Sequence, residues 1–465
     1  MGKTQQSKIA QIKEDVLKKI KPSKKDREFL DSFVKELIRV ARIKGEEFGA
    51  DPCVVGSTGK QTWLKGDHDI DMFMIFPQRL SREDLEKQGM EVAKRISKHF
   101  KAKTIIKYAE HPYVQAITKW RGQEFKIDIV PCYRMKSGEK IRSAVDRSPL
   151  HLTYILENLE PTLRDEVRLL KQFCKGIGIY GSDVKTEGIS GYICELLVIN
   201  YGHFEDVLKA VAKWQYGQVI DLRTKAEKPK KKFRNPLIII DPVDSERNAA
   251  AALSTKNFIR LIESAKAFIK NPSKKFFFSR PKLLNSREIA KLRKRETKFL
   301  GIVFDRPDII DDILYPQMRK AKRMFAKLLE RNEFRVLRAF EWSSQTKSVI
   351  VFELETWFLP AIKKMVGPPV YSRKHSRQFL DKYSKTAIFG PYVEDNRWVA
   401  EKRRDFRSAT DLLRAFLKQD DLKERGVPEN LVAPMKKAKV FEHDDMWLFI
   451  KKEKSFSQLL KREYF

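Results

Sequence analysis

The stretch FLDSFVKELIRVARIKGEEFG, residues 29–49, repeats apolar positions at helical spacing, and a second pattern of the same period precedes it from residue 8. KPSKKD interrupts the two, so residues 8–48 predict two helices. Past residue 50 the pattern changes to short apolar runs of strand length: PCVVG (52–56), IDMFMIF (70–76), VQAITKW (114–120) and EFKIDIVP (124–131). SREDLEKQGMEVAKRISKHF, residues 81–100, falls between them as an amphipathic helix. From 146 to 217 the pattern is mostly helical, and a basic run, KPKKKFR (228–234), then leads into the strand candidate PLIIID and on to PVDSERN. A later helix is expected around PQMRKAKRMFAKLLERNEFR (316–335), with loop breaks at PP (368–369) and GPY (390–392) and no internal repeat. The succession reads as an α+β multidomain chain.

Length and charge narrow the picture. The 465 residues make about three domains by the usual length prior, and 42% apolar content is enough to build real cores. Against 62 Asp and Glu stand 95 Lys and Arg, a formal charge of +33 that favours polyanionic partners, nucleic acid first. No apolar run approaches the roughly 18 residues of a membrane span, and no signal-peptide core follows the first residues. The start MGKTQQ has Gln6 where a myristoylation site has Ser or Thr. A soluble, intracellular protein without membrane attachment is expected. Cys53, Cys132, Cys174 and Cys194 lie far apart without a C-x-x-C pair, which suggests neither a disulfide framework nor a zinc site and leaves reduced thiols, mostly buried.

The chemistry concentrates in LKGDHDIDMFMIF, residues 64–76. Asp69 and Asp71 are two apart on a strand and therefore point to the same face, while Ile70 points into the core. Two carboxylates so close repel each other unless a cation neutralises them, and oxygen ligands of this kind suit Mg²⁺. Asp128, in FKIDIVP, is a third strand carboxylate; if the strands adjoin, three carboxylates can hold two metal ions for phosphoryl or nucleotidyl transfer. Upstream, VVGSTGKQTWLKG reads as a strand, a Gly-Ser turn and a helix start. Gly56 lets the backbone approach a phosphate, Ser57 offers a hydroxyl and Lys60 adds positive charge. Gly-Ser, then Asp-x-Asp, then a third strand Asp several tens of residues on is the pattern of the polymerase-β-like nucleotidyltransferases.

Longer strings sharpen this. YAEHPYV (108–114), IDIVPCY (127–133), SAVDRSPLH (143–151), EVRLLKQF (166–173), GIYGSDVKTEGISGYICELL (178–197), DPVDSERN (241–248) and RPDIIDDILYPQ (306–317) resemble the archaeal class I CCA-adding enzymes, densely from about residue 50 to 260 and more thinly to the end, where EDNRWVAEKRR also fits. The resemblance implies a polymerase-β-like nucleotidyltransferase domain, a mixed sheet with helices, followed by a helical domain and α/β C-terminal RNA-binding domains. It implies a cytoplasmic tRNA nucleotidyltransferase, building the 3′ CCA of tRNA from CTP and ATP without a nucleic-acid template, and is compatible with a homodimer. By the same resemblance Asp69, Asp71 and Asp128 bind two Mg²⁺, and Asp128 lies closest to the tRNA 3′-hydroxyl. Ser57, Lys60, Lys171 and Tyr180 match positions that grip the triphosphate, His151 lies beside the nucleotide, His111 lies near the catalytic centre, and Arg247 helps read the base. Their spacing alone singles out none of Lys171, Tyr180, His151, His111 and Arg247. Lys60 stands where the family usually has Arg, and Asp69 where a Glu is often found, so phosphate geometry is expected to differ.

Base choice without a template has a physical basis. Cytosine and adenine each present an amino donor beside a ring-nitrogen acceptor, whereas uracil and guanine present a carbonyl beside an N–H. Arg247 can only donate, so the matching acceptor comes from elsewhere, and bound RNA is expected to complete the pocket. Basic residues beyond 260 would neutralise phosphates along the tRNA. FFF at 276–278, within NPSKKFFFSRPK (271–282), reads as core or a loop anchor rather than a base-stacking platform. The expected division is a catalytic region 1–145, a mostly helical region 146–260 that completes the nucleotide pocket, a basic α/β region 261–395 and a C-terminal region 396–465. Two rival readings share these residues. A poly(A) polymerase-like enzyme would add ATP processively and ignore CTP, and a non-catalytic basic RNA-binding protein would bind without incorporating.

Overall fold

The computed structural model describes residues 3–67, 69–108, 110–136, 139–223, 233–279 and 282–464. Most of the basic run 228–234 lies outside the described residues. The chain forms two compact units that divide after residue 280.

The first unit begins with α1 (Lys3–Ile20) and α2 (Lys24–Gly45). Ser23 starts α2 with a capping box closed by Asp26, and Leu30, Phe33, Leu37, Val40 and Ala41 form its buried stripe. There follow β1 (Asp51–Val54), the single turn α3 (Gly56–Gly59), β2 (Asp69–Phe76), α4 (Arg82–His99), β3 (Lys103–Tyr108), β4 (Pro112–Trp120) and β5 (Gln123–Tyr133). The five strands make one sheet in the order β1-β2-β5-β4-β3. β2 and β5 run parallel, and the other neighbours are antiparallel. Alternation along β2 decides what each face does. Ile70, Met72, Met74 and Phe76 enter a core with Phe33 and Leu37 of α2 and Val92 and Ile96 of α4, which leaves Asp69, Asp71, Phe73 and Ile75 on the opposite face. Ile127 and Ile129 of β5 join the same core, so Asp128 shares the face of Asp71. The four strands and the helix expected in this region are present. β3 was not expected, because its residues are exposed, Ile105 at 41% and Ile106 at 52%, and a strand without a buried face carries no alternation.

Helices α5 (Arg147–Asn158), α6 (Arg164–Gly176), α7 (Gly191–Tyr201) and α8 (Phe204–Val211) follow, as the helical pattern of 146–217 predicts. A small sheet, β6 (Gln218–Asp221), β7 (Leu237–Asp241) and β8 (Asp244–Asn248), is completed by α9 (Thr255–Lys270). The boundary expected after residue 260 falls inside α9. The core that α9 closes contains Phe173, Phe204, Phe268 and Phe277. Phe277 is fully buried and Phe276 stacks on Phe173 at 6.0 Å between ring centroids, so the FFF run is chiefly an anchor, with Phe278 left at the surface.

The second unit contains α10 (Ser286–Arg293), β9 (Lys298–Asp305), α11 (Asp311–Arg331), β10 (Val336–Ser343), β11 (Lys347–Leu354), β12 (Ile362–Pro369), α12 (Arg373–Tyr383), β13 (Phe389–Glu394), β14 (Arg397–Arg403), α13 (Ala409–Leu417), α14 (Glu429–Lys436), β15 (Lys439–Phe441), α15 (His443–Lys452) and α16 (Lys454–Tyr464). Its main sheet, β10-β11-β9-β15, buries one face against α11 and the other against α15 and α16. β11 accordingly has no exposed face to give it an alternating signature. A second sheet is ordered β12-β14-β13. Here two expectations are corrected: PP 368–369 ends strand β12, and GPY 390–392 lies within strand β13. Both are edge strands, where a proline without an N–H costs no ladder bond on its outer side, and both show register shifts at these positions. The boundary expected after 395 falls in the turn between β13 and β14.

Gly89 of α4 is a tight point of the first unit, since a Cβ there would stand 2.4 Å from Cβ of Pro131, three residues beyond Asp128 on β5. Gly89→Ala is expected to lower stability by about 1–3 kcal/mol by overpacking. A lowered urea midpoint measured by circular dichroism would show it, and an unchanged midpoint would mean that α4 yields without cost.

Candidate active site

Asp71 and Asp128 are register partners across the parallel pair β2–β5, on strands about 4.8 Å apart. Gln115 of β4 donates from Nε2 to Oδ1 of Asp128 at 2.8 Å, fixing that carboxylate from the far side. Asp69 is exposed, two residues before Asp71 on the same face. Burial, then the charges of Asp128 and Asp69, push the Asp71 carboxyl up to about 6, with Lys60 opposing. Gly56 is demanded twice over. Its φ is +62°, and a Cβ there would lie 1.9 Å from Oδ2 of Asp71. Ser57 follows it in α3, and its carbonyl accepts from the Thr62 N–H at 2.9 Å. Oxygen-only donors crowded in this way suit a divalent cation, which would remove the repulsion at Asp71. Among the described residues no three His, Cys, Asp or Glu side chains already stand close enough together to hold a metal ion. The fixed part of the site is the Asp71–Asp128 pair, and Asp69 is its exposed arm.

Beside the carboxylates lies a buried cluster of opposite charge. Lys60 donates to Oε2 of Glu195 at 2.8 Å, and Lys171 donates to Oε1 at 3.0 Å. Thr62 donates its hydroxyl to the same Oε1 at 2.6 Å, and Lys171 donates in turn to Oγ1 of Thr62 at 2.8 Å. Burial disfavours the Glu195 carboxylate, yet Lys171 and Lys60 outweigh it and hold the group near a pKa of about 2. Two lysines against one glutamate leave a net positive charge in a water-poor place. Tyr180 joins them: Gly191 is so close that a Cβ would lie 3.1 Å from the Tyr180 hydroxyl and 3.3 Å from Nζ of Lys171. Burial pushes the Tyr180 phenol up, so it stays a neutral donor. Lys60, Lys171 and Tyr180 therefore lie together, and both ammonium groups are engaged by Glu195, which sequence reasoning missed. Its signal was available, a lone acid in the apolar helix GYICELLVINY.

A second buried carboxylate organises the remaining residues. Asp241, at the end of the apolar strand LIIID, accepts from Nε2 of His151 at 2.9 Å, the Tyr192 hydroxyl at 3.1 Å and an Arg247 guanidinium nitrogen at 2.5 Å. Burial opposes its charge, but His151 and Arg247 hold it at about 2. Burial lowers His151 against the opposing pull of Asp241, and because the carboxylate can only accept, the ring donates to it from Nε2. That ring stacks on Tyr192 at 3.9 Å between centroids, and Lys60 Nζ stands 4.8 Å from the centroid of the Tyr192 ring. Neither Asp241 nor Tyr192 was singled out from the sequence, although both lie in strings that were. His111 stands apart from these two clusters: Glu86 of α4 holds its Nδ1 at 3.1 Å, and its buried Nε2 has no hydrogen-bond partner among the described residues.

A parallel strand pair bearing paired carboxylates, a glycine turn against one of them and two buried lysines alongside are the arrangement of a nucleotidyltransferase. Family models agree along the chain: residues 34–151 match the nucleotidyltransferase domain, 165–278 the second domain of tRNA nucleotidyltransferase, and 295–432 the C-terminal domain of the CCA-adding enzyme. The CCA-adding enzyme of Methanosarcina acetivorans is 41% identical over 409 residues, covering 86% of this chain and 88% of that one. That of Methanocaldococcus jannaschii is 38% identical over 416 residues, covering 87% and 90%. The chain belongs to the CCA-adding enzyme family.

Two measurements test this geometry. A divalent cation is expected to raise the melting temperature at pH 7.5, where Asp71 is ionised and repelled. The gain should shrink as the pH falls below about 6, because the cation must then displace a proton from Asp71. An equal gain at pH 5, or in an Asp71→Asn variant, would place the cation elsewhere. Glu195→Gln strips two buried lysines of their counter-charge and is expected to cost about 3–5 kcal/mol, read by urea unfolding.

Proposed function

We propose that this chain completes the 3′ end of tRNA with C, C and A, taking the nucleotides from CTP and ATP without a nucleic-acid template. The observation that carries the reading is the Asp71–Asp128 register match beside the Gly56 turn, in a chain of the CCA-adding family. In the reaction a tRNA 3′-hydroxyl oxygen loses its proton and attacks the α-phosphate of the incoming nucleotide. The new P–O bond forms as the bond to the β-phosphate breaks, and pyrophosphate leaves.

The roles are those the family resemblance implies, and the placement of the side chains supports them. Asp69, Asp71 and Asp128 would hold Mg²⁺, two ions in this reading, and Asp128 faces the 3′-hydroxyl. Magnesium bound there supplies charge stabilisation to the attacking oxygen and to the triphosphate. Ser57, Lys60, Lys171 and Tyr180 take the triphosphate, whose oxygens compete with Glu195 for the two ammonium groups. Lys60 acts as a point charge, without the bidentate fork of the arginine usual at its position. His151 and Arg247 meet the nucleoside, and Arg247 donates to the ring nitrogen that cytosine and adenine share. The excess positive charge of the chain favours tRNA phosphates, and a population of tRNAs alike in shape needs no base-specific contacts beyond its end. No helix of the described residues is long and apolar enough to cross a membrane, in keeping with work on tRNA in the cytoplasm.

The test is to incubate the protein with Mg²⁺ and tRNA lacking its last three nucleotides, offering CTP, ATP, both, or UTP, and to size the products. Two additions from CTP alone and three from both, followed by a stop, are expected. Long adenylate tails from ATP alone would make it a poly(A) polymerase, and tight binding without incorporation would make it a non-catalytic RNA binder. Asp71→Ala is expected to reduce incorporation by several orders of magnitude. Arg247→Ala is expected to admit UTP and GTP alongside CTP, and unchanged discrimination would remove Arg247 from base choice.

A further inference from the structure

We propose that Asp241 is a positioning residue for base selection, fixing the direction in which the Arg247 guanidinium meets the incoming base. The inference rests on the reading of Arg247 given above and adds the group that aims it.

Asp241 is fully buried at the end of β7, where a carboxylate has lost its water and needs its lone pairs filled. Four donors converge on its two oxygens, two from the distant helices α5 and α7 and two from its own hairpin. Oδ2 receives Arg247 of β8 at 2.5 Å and His151 of α5 at 2.9 Å; Oδ1 receives the Tyr192 hydroxyl of α7 at 3.1 Å and the Val243 N–H at 3.2 Å. The side chain of Arg247 is 35% exposed, that of His151 only 13%. Arg247 is thus tethered through one nitrogen, while its remaining N–H groups are available to a ligand.

That arrangement bears directly on discrimination. An arginine swinging freely can donate to the carbonyl of uracil or guanine as readily as to a ring nitrogen of cytosine or adenine. A planar guanidinium held at one corner by a carboxylate that cannot move sends its remaining N–H groups in few directions, which makes the difference between the base edges count. Tyr192 extends the effect, since it braces Asp241 through its hydroxyl while its ring carries His151 and lies beside the Lys60 ammonium. The group that aims the base reader and a lysine of the triphosphate grip therefore share one side chain.

The test compares kcat/KM for CTP and UTP on tRNA lacking its terminal nucleotides. In Asp241→Asn the CTP-to-UTP ratio is expected to shrink by about tenfold or more, with a smaller loss in CTP incorporation itself. In an Arg247→Ala background the same change should leave the ratio where Arg247→Ala alone puts it. A parallel fall for every nucleotide, with the ratio intact, would make Asp241 a purely structural residue and overturn the proposal. Tyr192→Phe keeps the ring and removes one donor to Asp241, so it decides the matter should Asp241→Asn fail to fold. Its ratio is expected to fall by about two- to fivefold, and normal CTP addition with an unchanged ratio overturns the proposal. Failure of the unaltered chain to add C, C and A would overturn the underlying reading and this inference with it. Correct addition with intact discrimination in the variants overturns this inference alone.

Discussion

The parallel pairing of β2 with β5 governs the catalytic side of this molecule. Parallel neighbours cannot be joined by a tight turn, so the chain must leave β2, cross through α4 and return by β3 and β4 before β5 can lie alongside. That detour sets the register in which Asp71 faces Asp128. It also divides the work of the sheet: isoleucines and methionines on one face bury against α2 and α4, and the acids are left together on the other. A slip of one residue would send Asp128 into the apolar core and Ile127 or Ile129 to the site. The core and the reactive face are therefore specified by one alternation.

Around this wall the chain neutralises charge by burying two carboxylates, each among donors it cannot escape. Glu195 holds Lys60 and Lys171, and Asp241 holds His151 and Arg247. Burying an ion is unfavourable unless its partners are close and its lone pairs filled, and both sites meet that condition. They leave opposite kinds of surface behind: a compact positive centre suited to a triphosphate, and a directional donor suited to the edge of a base. Tyr192 touches members of both groups, so the two buried clusters are mechanically joined.

Much of this was legible in the sequence. The strands carrying Asp69, Asp71 and Asp128 announced themselves because each has one buried face, and Gly56 and Ser57 because a glycine turn has a conformational reason. The helix α2 was marked by its apolar stripe. What stayed hidden was hidden for physical reasons. β3 has no buried face to imprint a period. PP and GPY suggested loops because an outer strand tolerates proline and sequence does not say which strands are outermost. Glu195 and Asp241 sit at positions whose neighbours are all apolar, where a single acid is easily passed over as noise. Much of their importance comes from partners far along the chain, Lys171 and Lys60 for Glu195, 24 and 135 residues away, and Tyr192 and His151 for Asp241, 49 and 90 residues away, and no local pattern reports such distances.

The contact between Gly56 and Asp71 reaches beyond a single molecule. Since the space that any side chain at position 56 would need is already filled by the Asp71 carboxylate, the two positions cannot drift separately in descent. A lineage that replaced the glycine would have to vacate the carboxylate, and one that kept the carboxylate would have to keep the glycine. Fifteen residues apart along the chain, the two positions draw on one and the same volume.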